Sequence, residues 1–201
     1  MSHSPGAPTR LLVAVAHPDD ETFGCGGLLL HAAAAGTDTY VVCATRGEAG
    51  EGGTGDEPLG GVRERELHRA AAVLGVREVT LLAHRDSGMS GEPEPGTLAA
   101  LDPAGLAAEL EAHVARVRPE VVVTLDASDG HRDHEVMRDA TVAAATAAGV
   151  PRVHLVCLAR SSMVRWVEHQ RAEHPDREHL SVEDVELGTP DELVTATIDV
   201  S

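Results

Sequence analysis

This 201-residue sequence contains no lysine: all 16 of its basic residues are arginine. A Walker-type phosphate loop ends in Gly-Lys-Ser/Thr, and Schiff-base or pyridoxal-phosphate chemistry requires the lysine amine. The absence of lysine therefore excludes both Walker-type nucleotide-binding proteins and enzymes that use a lysine Schiff base or pyridoxal phosphate. Against the 16 arginines stand 33 acidic residues, which gives a net charge of −17.

Aromatic residues are almost as scarce, since Phe23, Tyr40 and Trp166 are the complete set. Proteins that bind single-stranded nucleic acid stack its bases on aromatic side chains and hold its phosphates with clustered positive charge. This chain has neither feature. We therefore expect no nucleic-acid partner.

Cysteine is also infrequent. Cys25, Cys43 and Cys157 are odd in number, and none of them belongs to a Cys-x-x-Cys pair. This usage is typical of reduced thiols in a cytosolic protein. The first hydrophobic run, residues 11–16, is too short for a membrane span or an export signal. We expect a soluble, cytoplasmic protein without a membrane partner.

The residues that are present alternate between β-branched runs and alanine-rich helical stretches. Strands are predicted at residues 11–16, 38–45, 78–83, 120–125 and 152–158, with a weaker one at 193–200, and helices near 24–35, 62–74, 104–117 and 134–148. Continuously apolar strands of this kind lie in a sheet that is covered on both faces. The pattern predicts one domain over residues 1–201, with a Rossmann-like, three-layer α/β fold and a doubly wound, mostly parallel sheet.

Two segments interrupt this alternation. Residues 46–61 and 84–103 are rich in glycine, proline and acidic residues, and each follows a predicted strand. Long loops in a compact domain are usually functional, and open α/β sheets bind ligands at the carboxyl ends of their strands. We expect both loops to lie beside a ligand site. Residues 168–192 are strongly acidic and predict a solvated helix and loop.

Two polar segments carry the chemistry. His17 and Asp20 follow the first strand, and His131 and His134 follow the fourth. Imidazole and carboxylate together suit Zn²⁺, and a catalytic zinc keeps three protein ligands and one open position. One histidine and one carboxylate from the first segment, with one histidine from the second, complete such a set.

The remaining groups in these segments indicate a catalytic site. Asp19 stands beside Asp20 and can take a proton from a metal-bound water. A histidine that is not needed as a ligand, His131, can polarise a carbonyl or protonate a leaving amine. Asp133 is then its orienting partner.

Several motifs resemble a known family. They are VAHPDDETFGCGG at residues 15–27, TRGEAG at 45–50, Arg63-x-x-Glu66, HRDSGM at 84–89 and GHRDH at 130–134. Together they are similar to the PIG-L (LmbE-like) family of zinc-dependent de-N-acetylases, over roughly residues 10–145. The HRDSGM stretch is most similar to the mycothiol-pathway deacetylases and conjugate amidases of that family.

The resemblance implies a role for each matching residue. It implies that His17, Asp20 and His134 bind one zinc ion per chain and that Asp19 is the general base. His131 then stabilises the oxyanion or acts as general acid, and Asp133 modulates His131. Arg63 and Asp86 are implied to contact the substrate. The implied partner is a small N-acetylated amino-sugar substrate, and a homo-oligomer is compatible with the family. The alternatives are an amidase for a mycothiol-type conjugate and a non-catalytic zinc-binding member.

The sequence departs from the family pattern at two positions. Arg132 stands where proline is usual, and Asp129 stands where the mycothiol deacetylase branch has a tyrosine that assists the oxyanion. The second change places more of the charge stabilisation on zinc and His131.

Two other enzyme classes compete with this interpretation. A dinucleotide-binding oxidoreductase fails because a Gly-x-Gly-x-x-Gly motif that starts at Gly24 needs glycine at Leu29. A cysteine hydrolase would use Cys25, which lies near the predicted start of a helix.

Overall fold

A computed structural model describes residues 8–50, 57–89, 91–174 and 188–200. Its sheet has five strands, which are β1 (Arg10–Val15), β2 (Asp38–Cys43), β3 (Glu78–Leu81), β4 (Val121–Leu125) and β5 (Arg152–Val156). They lie in the order β3-β2-β1-β4-β5, and all four pairings are parallel. The predicted Rossmann-like α/β fold is confirmed.

Six α-helices connect and follow these strands in the described ranges. They are α1 (Asp20–Phe23), α2 (Gly26–Ala34), α3 (Leu59–Val73), α4 (Pro103–Val117), α5 (Arg132–Ala147) and α6 (Arg160–Glu173). Short 3-10 turns occupy Leu98–Ala100 and Asp191–Leu193.

The central strands β1 and β4 are largely apolar and buried because helices cover both faces of the sheet. Alternate residues of β1 point to opposite sides: Leu12 packs with residues of α4 and α5, whereas Val13 packs with residues of α2 and α3. Both side chains are almost fully buried. A parallel sheet between two helical layers produces this continuous hydrophobic pattern.

Helix α4 shows how the local sequence sets the outer layers. The Asp102 side chain accepts a hydrogen bond from the Ala104 N–H, and Pro103 occupies the first helical turn. An apolar stripe of Leu106, Leu110, Val114 and Val117 lies on one face of the helix and is buried. The helix ends where Arg118 adopts a left-handed conformation with φ 52°.

The predicted strand at 193–200 is wrong. Its first residue closes the 3-10 turn Asp191–Leu193, and residues 194–200 have no regular structure. Leu193, Ile198 and Val200 are exposed. β-branched residues favour a pleated surface, but they form a strand only where a neighbouring strand supplies hydrogen bonds.

The acidic stretch predicted at 168–192 falls partly outside the described residues, since 175–187 are not among them. Its first residues belong to α6, which starts earlier, at Arg160. Among the helices of the described ranges, none is long and apolar enough to cross a membrane.

The strand order locates the functional edge of the sheet. β1 lies at the centre of the sheet. The chain continues from β1 to β2, toward one edge, and from β4 to β5, toward the other edge. This is the topological switch point, where a crevice opens beyond the carboxyl ends of the strands. The segments after β1 and β4 are those that carry the histidines and carboxylates.

Candidate metal centre

The first segment is a tight turn between β1 and α1. Asp20 Oδ2 accepts the backbone N–H of His17 at 2.8 Å, which folds the carboxylate back over the turn. Asp19 takes a positive φ of 103° at the start of α1. A non-glycine residue rarely adopts this conformation, and such residues cluster at functional sites. The buried Glu21 carboxylate stabilises it by accepting the Asp19 N–H at 2.9 Å.

The second segment joins β4 to α5. His131 caps α5, and its Nδ1 accepts the backbone N–H of Asp133 at 3.1 Å. Asp129 Oδ1 accepts the backbone N–H of His131 at 3.0 Å. Gly130, between them, has a φ of 80°, which glycine adopts without strain. His134 follows in the first turn of the helix and is buried.

The two segments bring three potential ligand atoms together. His17 Nδ1 lies 3.6 Å from Asp20 Oδ2 and 3.3 Å from His134 Nε2, and the last two atoms are 3.2 Å apart. Tetrahedral zinc with bonds of about 2.0–2.1 Å separates its ligand atoms by roughly 3.3–3.4 Å. The triangle therefore has the dimensions of one face of a zinc coordination sphere.

Carboxylates behind the two rings orient their nitrogens. His17 Nε2 donates to Asp133 Oδ2 at 3.1 Å, and His134 Nδ1 donates to Asp129 Oδ2 at 2.6 Å. With a proton on the outer nitrogen, the neutral ring presents its lone pair inward, at His17 Nδ1 and His134 Nε2. Both inward atoms belong to the triangle.

The charges around these rings also favour a cation. Burial alone would lower the pKa of His17, but hydrogen bonds to carboxylates, Asp133 foremost, raise it to about 11. The pKa of His134 rises to about 9 because contacts with Asp129 and Asp20 outweigh burial. Without a metal the carboxylates hold protons on the imidazoles, and a divalent cation fits the same surroundings.

Asp133 has a different partner from the one that the sequence suggested. Its carboxylate contacts His17 Nε2 and accepts the Ser87 N–H at 3.0 Å, whereas His131 receives only its backbone N–H. The second position of α5 turns this side chain inward, where it is fully buried. Its Oδ1 has no hydrogen-bond partner among the described residues. Burial alone would raise the pKa of this carboxyl, but contacts with His17 and Ser87 lower it, so a negative charge lies behind His17.

Asp19 and Arg63 form an ion pair beside the triangle. Arg63 Nη2 donates to Asp19 Oδ2 and to the Pro18 carbonyl, each at 2.6 Å, while Nη1 donates to the Gly47 carbonyl at 2.9 Å. Burial raises the pKa of Asp19 despite the nearby Arg63. The arginine that was expected to contact substrate thus also fixes the expected base.

Asp86 connects the two long loops. Its carboxylate accepts the backbone N–H groups of Gly88 at 2.8 Å and Ala49 at 3.2 Å, and it lies 3.5 Å from His17 Nε2. A cavity of about 220 Å³ opens in front of the triangle. It is lined by His17, Asp19, Asp20, Ala49, Gly50, Arg63, Asp86, Gly88, Met89, His131 and His134. Parts of both long loops therefore lie beside the site, as expected.

A protein-family comparison matches the part of the chain that contains this site. The PIG-L family, described as GlcNAc-PI de-N-acetylase, matches residues 12–145. The chain belongs to the PIG-L family. The family expected from the motifs is thereby confirmed.

Individual related proteins and solved structures also match most of the chain. It is 35% identical over 221 residues to 1D-myo-inositol 2-acetamido-2-deoxy-alpha-D-glucopyranoside deacetylase of Thermobifida fusca, with coverage of 96% of this chain and 77% of that protein. A conserved protein of Thermus thermophilus of known structure is 26% identical, with a TM-score of 0.58 and coverage of 90% and 92%. A deacetylase of teicoplanin biosynthesis, also 26% identical, has a TM-score of 0.58 and coverage of 72% and 65%.

Sequence reasoning missed two carboxylates of this PIG-L site. The sequence marks Asp129 only as a departure from the family, yet this residue orients His134. The position of Asp129, five residues before His134, is the only sequence signal for that contact. Glu21 carries no comparable signal, although it stabilises the unusual backbone of Asp19.

The cysteine-hydrolase alternative is wrong. Cys25 is fully buried. Burial raises the pKa of its thiol to about 12, and the neighbouring acids Asp20 and Glu21 act in the same direction. Nucleophilic cysteines require the opposite, an accessible thiol with a lowered pKa.

Zinc affinity of this site is expected to increase with pH between 6 and 9. The raised pKa values of His17 and His134 mean that both rings hold protons at neutral pH in the metal-free protein. Each protonated ring must release its proton to bind a metal, so binding frees up to two protons. Calorimetric titration with Zn²⁺ in two buffers of different ionisation enthalpy measures this number. Affinity that does not change over this pH range would contradict the assignment.

Proposed function

We propose that this PIG-L protein removes an N-acetyl group from a small molecule that contains an amino sugar. The observation that carries the proposal is the triangle of His17 Nδ1, Asp20 Oδ2 and His134 Nε2, with a carboxylate at the outer nitrogen of each imidazole ring. Asp19 and His131 flank it on the same cavity. Three protein ligands beside an acid–base residue are typical of a catalytic metal site rather than a structural one.

We propose zinc as the metal, one ion per chain, held by the three residues of the triangle. Two imidazoles and one carboxylate suit zinc, whereas the softer thiolates that close structural zinc sites are not part of the triangle. When bound there, zinc supplies a lowered pKa for a water ligand and polarises an amide carbonyl.

Asp19 is proposed as the general base. Its carboxylate is about half exposed on the cavity, and Arg63 and Glu21 hold its position. Burial raises its pKa, which makes the carboxylate a better proton acceptor than a free aspartate. In this position Asp19 takes a proton from the attacking water.

His131 is proposed to stabilise the developing oxyanion. Its Nδ1 accepts the Asp133 N–H, so the neutral ring carries its proton on Nε2. Burial lowers the pKa of His131, and the neighbouring rings of His17 and His134 lower it further. A neutral ring with an Nε2–H suits hydrogen-bond donation to the oxyanion better than it suits general acid catalysis. The Asp133 carboxylate takes no part in this contact, because it is turned toward His17.

Arg63 and Asp86 are proposed to bind polar groups of the substrate at the cavity wall. Both line the cavity, although their contacts within the protein also hold the loops and Asp19 in place. Because aromatic residues are scarce, a sugar is held here by hydrogen bonds and charge rather than by stacking. The relative from Thermobifida fusca is named for an N-acetylglucosaminide of inositol, and we propose a substrate of that class. We further propose that residues 1–201 act as one cytoplasmic domain.

Acetate release from a panel of amides tests this function. Zinc-loaded protein is incubated with N-acetylglucosaminyl-inositol, diacetylchitobiose and a mycothiol conjugate, and acetate and free amine are quantified. We expect acetate from the inositol glycoside. Cleavage of the conjugate alone identifies an amidase instead, whereas zinc binding without turnover of any amide identifies a non-catalytic protein.

A further inference from the structure

Asp129 lies directly behind His134, on the side away from the triangle. Its Oδ2 accepts the Nδ1–H of His134 at 2.6 Å. Its Oδ1 accepts the backbone N–H of His131 at 3.0 Å. Each oxygen of this carboxylate therefore has a separate donor, and both donors belong to the segment that brings His134 to the site.

The loop holds Asp129 for this contact. The Gly130 N–H donates to the Ala127 carbonyl at 3.1 Å, and Ala127 has a positive φ of 63°. Asp126 accepts both the N–H and the hydroxyl of Ser128 and a hydrogen bond from Thr189. The turn is therefore held both by hydrogen bonds within it and by contacts with Gly188 and Thr189, and Asp129 projects from this anchored backbone.

The two histidines of the triangle are supported unequally. Asp133, behind His17, is fully buried and is also held by the Ser87 N–H. The Asp129 side chain is 37% exposed, and its contact with His134 is shorter than that of Asp133 with His17. The outer nitrogen of His134 is thus hydrogen-bonded to a carboxylate at the edge of the site.

We propose that Asp129 is a positioning residue for the metal ligand His134. It keeps the proton on Nδ1, directs the Nε2 lone pair into the triangle and increases the basicity of the ring. Metal affinity therefore depends on a residue that touches neither the metal nor the substrate. The inference rests on one part of the proposed function, namely that zinc binds at the triangle.

Zinc competition with a chromophoric chelator tests the role of Asp129. The proteins compared are wild type, Asp129→Ala, Asp129→Asn and a control, Asp139→Ala, which removes an exposed carboxylate from α5 that pairs with Arg138. We expect Asp129→Ala to weaken zinc binding by about 10–100-fold. Asp129→Asn, with one acceptor for two donors, is expected to bind about tenfold more weakly. The control is expected to bind as wild type does.

Thermal unfolding separates positioning from a merely structural role. We expect metal-free Asp129→Asn to unfold at a lower temperature than metal-free wild type, because the contact with His134 is weakened. The further stabilisation by added zinc, measured against each protein's own metal-free form, is expected to be smaller in the variant. If Asp129→Ala does not fold, Asp129→Asn alone decides the question. Wild-type zinc affinity in Asp129→Asn, or a zinc-induced rise in unfolding temperature equal to that of wild type, overturns the inference. Absence of zinc binding by wild type overturns the proposed function instead.

Discussion

Replacing His134 with alanine is expected to remove tight zinc binding and to reduce amide hydrolysis to the background rate. His134 Nε2 is one corner of the ligand triangle, 3.2 Å from Asp20 Oδ2 and 3.3 Å from His17 Nδ1. Without it, only two of the three ligands of a catalytic zinc site remain. The loss should far exceed the roughly 100-fold upper range for residues that only support a ligand.

Zinc content and acetate release, measured on the same preparation of His134→Ala, check this expectation. His154→Ala is the matched control, because His154 is an exposed histidine on β5, away from the cavity. The metal-free variants should give similar circular dichroism spectra. Full zinc content or wild-type turnover in His134→Ala would remove His134 from the ligand set.

The location of the site was predictable because parallel strands end at the same edge of a sheet. His17 follows β1 and His134 follows the adjacent β4, so the strand order brings them together across many residues of sequence. The apolar runs that predicted these strands are long and continuous. Their position at the switch point then follows from the connections of the fold.

The partners of individual carboxylates were not predictable in the same way. Asp133 is two residues from His131, and this proximity suggested that the pair interacts. The helical start at Arg132 instead directs the Asp133 carboxylate toward His17, which is distant in sequence. Side-chain direction in the first turn of a helix depends on where the helix begins, and sequence patterns locate that boundary poorly.

The prediction of a strand at residues 193–200 was wrong for a different reason. Its many β-branched residues have the local preference of a strand, but no strand of the described ranges pairs with it. Strand formation is decided by pairing with another part of the chain. Helix α4, in contrast, was predicted almost to the residue, because an amphipathic stripe and a capping aspartate are local signals.

Replacing Asp19 with asparagine is expected to lower kcat by about 10²–10⁴-fold, the usual contribution of a general base. The substitution preserves the size of the side chain and one oxygen that can accept from Arg63. It removes the carboxylate that takes the proton from water. Asp19 is outside the ligand triangle, so zinc content should remain at the wild-type level.

Steady-state kinetics on zinc-loaded Asp19→Asn separate this role from substrate binding. A fall in kcat with little change in KM indicates a group that acts in the chemical step, whereas an increase in KM alone indicates a binding contact. A base is active only when deprotonated, and burial raises the pKa of Asp19, so the wild-type rate should begin to decline at a higher pH than for a free aspartate. A variant that retains zinc and wild-type kcat would exclude Asp19 as the base and transfer that role to another acid of the cavity.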